Sequence, residues 1–198
     1  MRLVRSHAAP VQDAIRHHWP RFAAIAALVL AADLLAKDVA VRALGLTSHV
    51  LLTDRLSLFV VYNTGSAGSL SVGPYTWQLN VMVTLLAVGL IASVVRPMAM
   101  VDGRATPALA CIAGGALGNL ASLLWGPDGV ADFVAIRVYG DTTVVANLAD
   151  FALWGGAILL APVALLLFRL TRVERTMERT MGARTVPYTT SGASASRC

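Results

Sequence analysis

The sequence predicts an all-α polytopic membrane protein, four transmembrane helices with a small β-rich extracytoplasmic surface domain. Three observations predict it. The 198 residues are 57% hydrophobic and 14% charged, with a mean hydropathy of +0.67, whereas a soluble domain carries about a quarter charged residues. Four separate apolar stretches each supply the roughly 20 helical residues that about 30 Å of hydrocarbon requires. The arginines crowd the tails and the middle connection and thin out in the other two connections, the asymmetry expected of a chain that crosses a bilayer four times.

The first stretch, residues 22–44, reads "FAAIAALVLAADLLAKDVAVRAL". No small-residue cleavage site follows it and Asp33, Lys37 and Asp38 interrupt it, so it is expected to be a retained span and not a leader. The second covers residues 77–95, the third 108–125 and the fourth 151–170. Arg2, Arg5, Arg16 and Arg21 precede the first span, and Arg96 and Arg104 lie between the second and third. Arg169, Arg172, Arg175, Arg179, Arg184 and Arg197 mark the C-terminal end. Loops 45–76 and 126–150 hold only Arg55 and Arg137. Positive-inside bias therefore places both termini in the cytoplasm and both larger loops outside.

Residues 1–21 are expected to be a basic cytoplasmic tail, 22–170 the four-helix membrane domain, and 171–198 a cytoplasmic tail without ordered structure. From Thr180 onward, "TMGARTVPYTTSGASASRC" shows no periodicity. In the outer loop 45–76, "LSLFVVYN" is rich in β-branched and aromatic residues, and Gly65, Gly68 and Gly73 punctuate residues 64–73. That pattern predicts a short sheet on the membrane surface.

Several function classes lose support at this level. The net charge of +5 comes from basic residues that flank apolar stretches without interleaved aromatics, which argues against nucleic-acid binding. Cys111 lies in an apolar run and Cys198 ends the chain, so neither a disulfide framework nor a metal site is expected. His7, His17 and His18 fall on the cytoplasmic side and His49 stands alone, leaving no Ser–His or Cys–His arrangement outside. No internal repeat suggests an inverted-repeat transporter.

The informative residues are the polar ones in oil. Asp33 and Lys37 stand four apart on one helix face, as a structural ion pair or as part of the chemistry. Asn119 follows Gly114, Gly115 and Gly118, which allow close helix approach. It either cross-links helices or lines a site. Asn63 and Asn147 read individually as turn residues. Asp150 opens the fourth span, where a carboxylate suits the helix dipole and caps the N-terminus. Asp132 follows a Pro/Gly turn, at a place that needs no acid for folding. Both aspartates fall on the outer side of the predicted topology. Two carboxylates in a partly dry pocket share one proton, so that one activates water while the other polarises a carbonyl, the chemistry of an aspartic protease.

With these residues in view, the chain resembles the lipoprotein signal peptidases (signal peptidase II) over about residues 25–165. "ADLLAKDVAV" is similar to the family's Asp-x-x-x-Lys segment and "VYNTGSAGSL" to its Asn-x-Gly-x-Ala segment. "GGALGNLASLLWGPDGVADF" resembles the third motif and "VVANLADFALWGG" the last. The resemblance implies an intramembrane aspartic endopeptidase of the bacterial inner membrane, cutting prolipoproteins before a diacylglyceryl-modified cysteine at the outer face. It implies Asp132 and Asp150 as the catalytic pair, with Asn63, Gly65, Asn119 and Asn147 contacting substrate, while the spacing of Asp33 and Lys37 leaves them expected as a structural polar pair. No cofactor or metal is expected, and the partners are lipid-modified prolipoproteins and membrane lipids, with the protein itself a monomer. Ser122 and Leu123 stand where the family's third motif continues as Asp-Arg, and Gly68 replaces a Phe in the second. Those departures leave open a relative that binds lipidated peptides, or assists another membrane enzyme, without cutting.

Overall fold

The computed structural model describes residues 5–64, 73–126, 129–140 and 142–184. Its order is α1 (Arg5–Leu44), β1 (Val50–Thr53), β2 (Leu56–Asn63), a 3-10 turn (Gly73–Tyr75), α2 (Thr76–Val101), α3 (Ala105–Trp125), β3 (Val130–Tyr139), β4 (Thr142–Ala146) and α4 (Leu148–Arg184). The fold is mostly helical with one small antiparallel sheet. By length and composition three helical segments can cross a membrane: Gly73–Val101, Ala105–Trp125 and Leu148–Glu178, with mean hydropathies of 2.1, 1.6 and 2.3. The helix α1, expected as the first span, carries Asp33, Lys37, Asp38 and Arg42 within residues 22–44 and is not among them.

The helices extend past several of the expected boundaries. α1 begins at Arg5, inside the stretch expected to be a tail. α2 continues to Val101 with Pro97 in its last turns, where the missing donor costs one hydrogen bond, and it closes with Asp102 N–H donating to Met98 C=O. α4 runs on to Arg184, so residues 171–184, expected as part of an unordered tail, are helical. Arg, Glu, Met and Ala in that stretch are good helix formers, and the reading of a polar tail overlooked them. The chain divides into two units, Met1–Val163 and Ala164–Cys198. In the second, the Arg172 guanidinium lies 5.1 Å from the Phe168 ring centroid, one turn back on the same helix.

Within the first unit α3 is the central helix. Half of its apolar stretch is buried, against 6% for α2 and 11% for α4, because its buried positions are mostly Ala and Gly and admit neighbouring backbones. An apolar cluster of Phe22, Ala26, Val95, Leu109, Ala110 and Ala113 joins α1, α2 and α3, with Ile25, Ile91, Val94, Met98 and Leu160 against it. This cluster uses the first half of α3. The polar residues of interest use its second half.

The sheet has order β1-β2-β3-β4 with every pair antiparallel. β2 is the strand expected from "LSLFVVYN". Half of the sheet, however, comes from residues 130–146, which the sequence reading treated as loop. The signal was present in the β-branched and aromatic runs "FVAIRVY" and "TTVVA" on either side of Gly140. Register is what matters for function. Asn63 pairs with Val130 and Val61 with Asp132, while Val134 pairs with Ala146. The strand ends therefore bring residues 63, 132 and 147 to one corner, where α4 starts.

Candidate active site

The N-terminus of α4 is closed by a reciprocal pair. Asp150 N–H donates to Asn147 Oδ1 at 3.1 Å, and Asn147 N–H donates to Asp150 Oδ2 at 3.0 Å. This is the capping-box arrangement, with Asn at the cap and an acid three residues on. Asn147 is thus more than a turn residue, and Asp150 is oriented by the cap. The next free donor, Ala149 N–H, is taken at 2.8 Å by Asp33 Oδ1, from 116 residues away on α1. Asp33 therefore caps α4 from a different helix.

Asp132 reaches the same corner from β3. Asn147 Nδ2 donates to Asp132 Oδ1 at 2.5 Å and to Asn119 Oδ1 at 3.1 Å, and Asn63 at the end of β2 also hydrogen-bonds the Asp132 side chain. Asp132 is buried, at 7% exposure. Burial pushes its carboxyl above the usual carboxylate range, and the charge of Asp150 pushes the same way. Hydrogen bonds from Asn147 and Asn63 and the charge of Lys37 offset part of that rise.

α3 completes the cluster. Asn119 Nδ2 donates to Asp150 Oδ1 at 3.0 Å, and Asn119 Oδ1 accepts from Lys37 Nζ at 2.7 Å. Lys37 in turn holds Asp33 Oδ2 at 2.6 Å, with the two side chains 6% and 0% exposed. Removing one partner of such a buried pair costs about 3–5 kcal/mol, because the other is left as an unpaired charge. Glycine makes the room. A Cβ on Gly118 would stand 2.6 Å from Asp33 Oδ2, and one on Gly115 would stand 2.6 Å from Ala149 C=O, so the acid and the start of α4 occupy space that any larger residue on α3 would fill.

The structure thus draws together Asp132, Asp150, Asn63, Asn119, Asn147, Asp33 and Lys37. Gly65 lies outside the described residues. Asp33 and Lys37 are a structural pair that is also continuous, through Asn119 and Ala149, with the rest of the cluster; their spacing showed the pair, and nothing local showed the partners. Ser122 donates its hydroxyl back to Gly118 C=O at 3.0 Å within α3 and joins none of these bonds. Among the described residues, no group of three or more His, Cys, Asp or Glu comes together to hold a metal ion. Both carboxylates bond to Asn147, Asp132 to its side-chain amide and Asp150 to its backbone N–H, so two acids, one of them desolvated, converge on a single residue.

Residues 25–166 match the peptidase family Peptidase_A8, described as signal peptidase (SPase) II. The lipoprotein signal peptidase of Rhodococcus jostii (strain RHA1) is 36% identical over 173 residues, 81% of this chain and 80% of that protein. The lipoprotein signal peptidase of Mycobacterium avium (strain 104) is 32% identical over 157 residues, 76% of this chain and 82% of that protein. A bacterial membrane enzyme solved by the in meso method at 2.3 Å resolution superposes with a TM-score of 0.64 at 21% identity, covering 73% of this chain and 87% of that one, a likeness of fold.

Proposed function

Because the chain belongs to the signal peptidase II family, we propose that it is an intramembrane aspartic endopeptidase that removes signal peptides from diacylglyceryl-modified prolipoproteins, cutting before the lipidated cysteine. One observation carries the mechanism: Asp132 on β3 and Asp150 on α4 meet at Asn147. One carboxylate takes a proton from water as the water oxygen bonds to the scissile carbonyl carbon. The other carboxyl gives its proton to the carbonyl oxygen. The tetrahedral diol then collapses, the C–N bond breaks, and the cysteine nitrogen receives a proton. The signal peptide leaves with a new carboxyl group and the lipidated cysteine with a free amine. The pair titrates as a unit, and the raised affinity of Asp132 for its proton suits a dyad that rests with one proton between two acids. Asn63, Asn119 and Asn147 form the polar wall against which the substrate lies.

In this reading α1 is the fourth span. Its buried ions face each other and α3, leaving apolar residues such as Leu28, Leu35 and Val39 outward. Exposed Tyr75, Trp77, Trp125 and Trp154 gather at the sheet ends of α2, α3 and α4, as aromatic residues do at a bilayer interface. With Arg21, Arg96 and Arg104 toward the opposite ends of α1, α2 and α3, this supports a site at the outer face and termini in the cytoplasm. The test is the mass of a diacylglyceryl prolipoprotein before and after incubation with purified protein. Cleavage before the cysteine by the parent, and none by Asp132→Asn or Asp150→Asn, is expected; parental cleavage by either variant rejects the reading. Ser122 and Leu123 favour a second reading, a relative that binds the lipidated peptide without turnover, and tight binding with no product would support it.

A further inference from the structure

We infer that Lys37 is a positioning residue of the active site: its ammonium fixes the amide orientation of Asn119 and thereby the hydrogen bond that Asn119 delivers to Asp150. The inference rests on the reading of Asp132 and Asp150 as the working pair. Asn119 Oδ1 accepts from two donors, Lys37 Nζ at 2.7 Å and Asn147 Nδ2 at 3.1 Å, and its Nδ2 donates to Asp150 Oδ1 at 3.0 Å. Turning the amide over would set NH2 against an ammonium and a second NH2, and oxygen against a carboxylate. Every contact would become like facing like. Lysine has no acceptor, so its presence admits only one orientation. Asn147 is the weaker constraint, since its bond to Asn119 is longer, 3.1 Å against 2.7 Å, and its donor is a neutral amide where Lys37 brings a charge.

The same lysine holds the cap of α4. Its bond to Asp33 Oδ2 leaves Oδ1 directed at Ala149 N–H, the residue before Asp150. One ammonium on α1 therefore governs Asp150 twice, through the side chain that donates to it and through the helix turn that carries it. Lys37 and Asp33 are 5% and 0% exposed. Asp33 and Lys37 stand four apart on α1, and neutralising one another requires only the bond between the two charges. The third bond, to Asn119 across 82 residues, aims at the acids.

The test separates aim from glue. Asp33→Asn with Lys37→Met removes both charges together, so no buried charge is stranded, and keeps an oxygen for Ala149 N–H. Lys37→Arg keeps charge and pair but moves the donor, because a longer planar fork cannot reproduce the ammonium's position. Cleavage of a diacylglyceryl prolipoprotein is measured in full-length purified protein, with Tm recorded in the same detergent. The expected result is kcat lower by roughly ten- to a hundred-fold in the double variant, the scale of one charged hydrogen bond, and several-fold lower in Lys37→Arg. KM and Tm stay near the parent in both. Parental kcat in either variant overturns the inference, and so does activity that merely follows loss of folded protein in both. If Asp132→Asn or Asp150→Asn remains active, it is the protease reading that has failed; inactive dyad variants beside a fully active double variant condemn the role of Lys37 alone.

Discussion

Gly118→Ala is expected to destabilise the protein, against the usual preference of helices for alanine. A Cβ at this position stands 2.6 Å from Asp33 Oδ2, 3.2 Å from its Cγ and 3.3 Å from its Cβ, where ordinary contact begins at 3.4 Å. Asp33 would have to retreat by about 0.8 Å, the difference between 3.4 and 2.6, and it is not free to do so. Its two oxygens are held at 2.6 Å by Lys37 and at 2.8 Å by Ala149 N–H, and the side chain is wholly enclosed. Overpacking of this kind costs roughly 1–3 kcal/mol, and weakening a hydrogen bond to a charged group adds roughly 1.5 kcal/mol or more. The better helix propensity of Ala returns about 1 kcal/mol. The net loss is about 2 kcal/mol.

Gly89→Ala in α2 is the control, since a Cβ there meets nothing within 4 Å and only the propensity gain of about 1 kcal/mol remains. Two chemically identical changes should therefore differ by roughly 3 kcal/mol, on the order of 10 °C in Tm for a chain of this size. Thermal unfolding of both variants in one detergent measures it, with cleavage rate as a second readout, because movement of Asp33 disturbs the turn that carries Asp150. If Gly118→Ala melts with or above Gly89→Ala, Asp33 is not confined as described and the packing argument fails.

Asp132→Asn should abolish cleavage while its Tm gains on the parent as pH rises from acid toward neutral. The folded carboxyl is raised, so the native state holds its proton more tightly than the unfolded chain and parental stability falls between the ordinary and the raised values; a Tm difference that is flat or reversed with pH contradicts this. Asp150→Asn should also be inactive but less stable by about 1–3 kcal/mol, because an amide offers one acceptor where Asn147 N–H and Asn119 Nδ2 use two oxygens. Equal melting of the two Asn variants would remove the capping-box account. Ser122→Ala should change stability by less than about 0.5 kcal/mol and leave turnover near parental, since its hydroxyl only bonds back within α3; a tenfold loss of cleavage would show that Ser122 serves the site.

Much was legible without coordinates. The three apolar spans and the strand at "LSLFVVYN" follow from composition and periodicity, which are local. Asp132 stood out because its place after a Pro/Gly turn needs no acid for folding, and Asp150, a reasonable helix cap by itself, because it falls on the same outer side of the expected topology. The limits are equally particular. Strands β3 and β4 were overlooked because short alternating runs between helices resemble loop until a partner strand is supplied. Helical residues 171–184 were hidden by the polar tail beyond them. Ser122, at the position of an acid in the family pattern, gave no sign that its hydroxyl would turn back on its own helix.

Hydropathy and charge asymmetry, each a property of neighbouring residues, determined from the sequence alone that this chain is built for a membrane and which acids are out of place in it. Only the tertiary structure decided that those acids share Asn147, that α4 is capped by an aspartate from α1, and that a lysine reaches Asn119 across the bundle. Those bonds join residues as many as 116 apart, and their existence depends on strand register and on the absence of a Cβ at Gly115 and Gly118. No local pattern encodes such a coincidence, because it is the packing of whole helices that brings the donors and acceptors within hydrogen-bonding reach of one another.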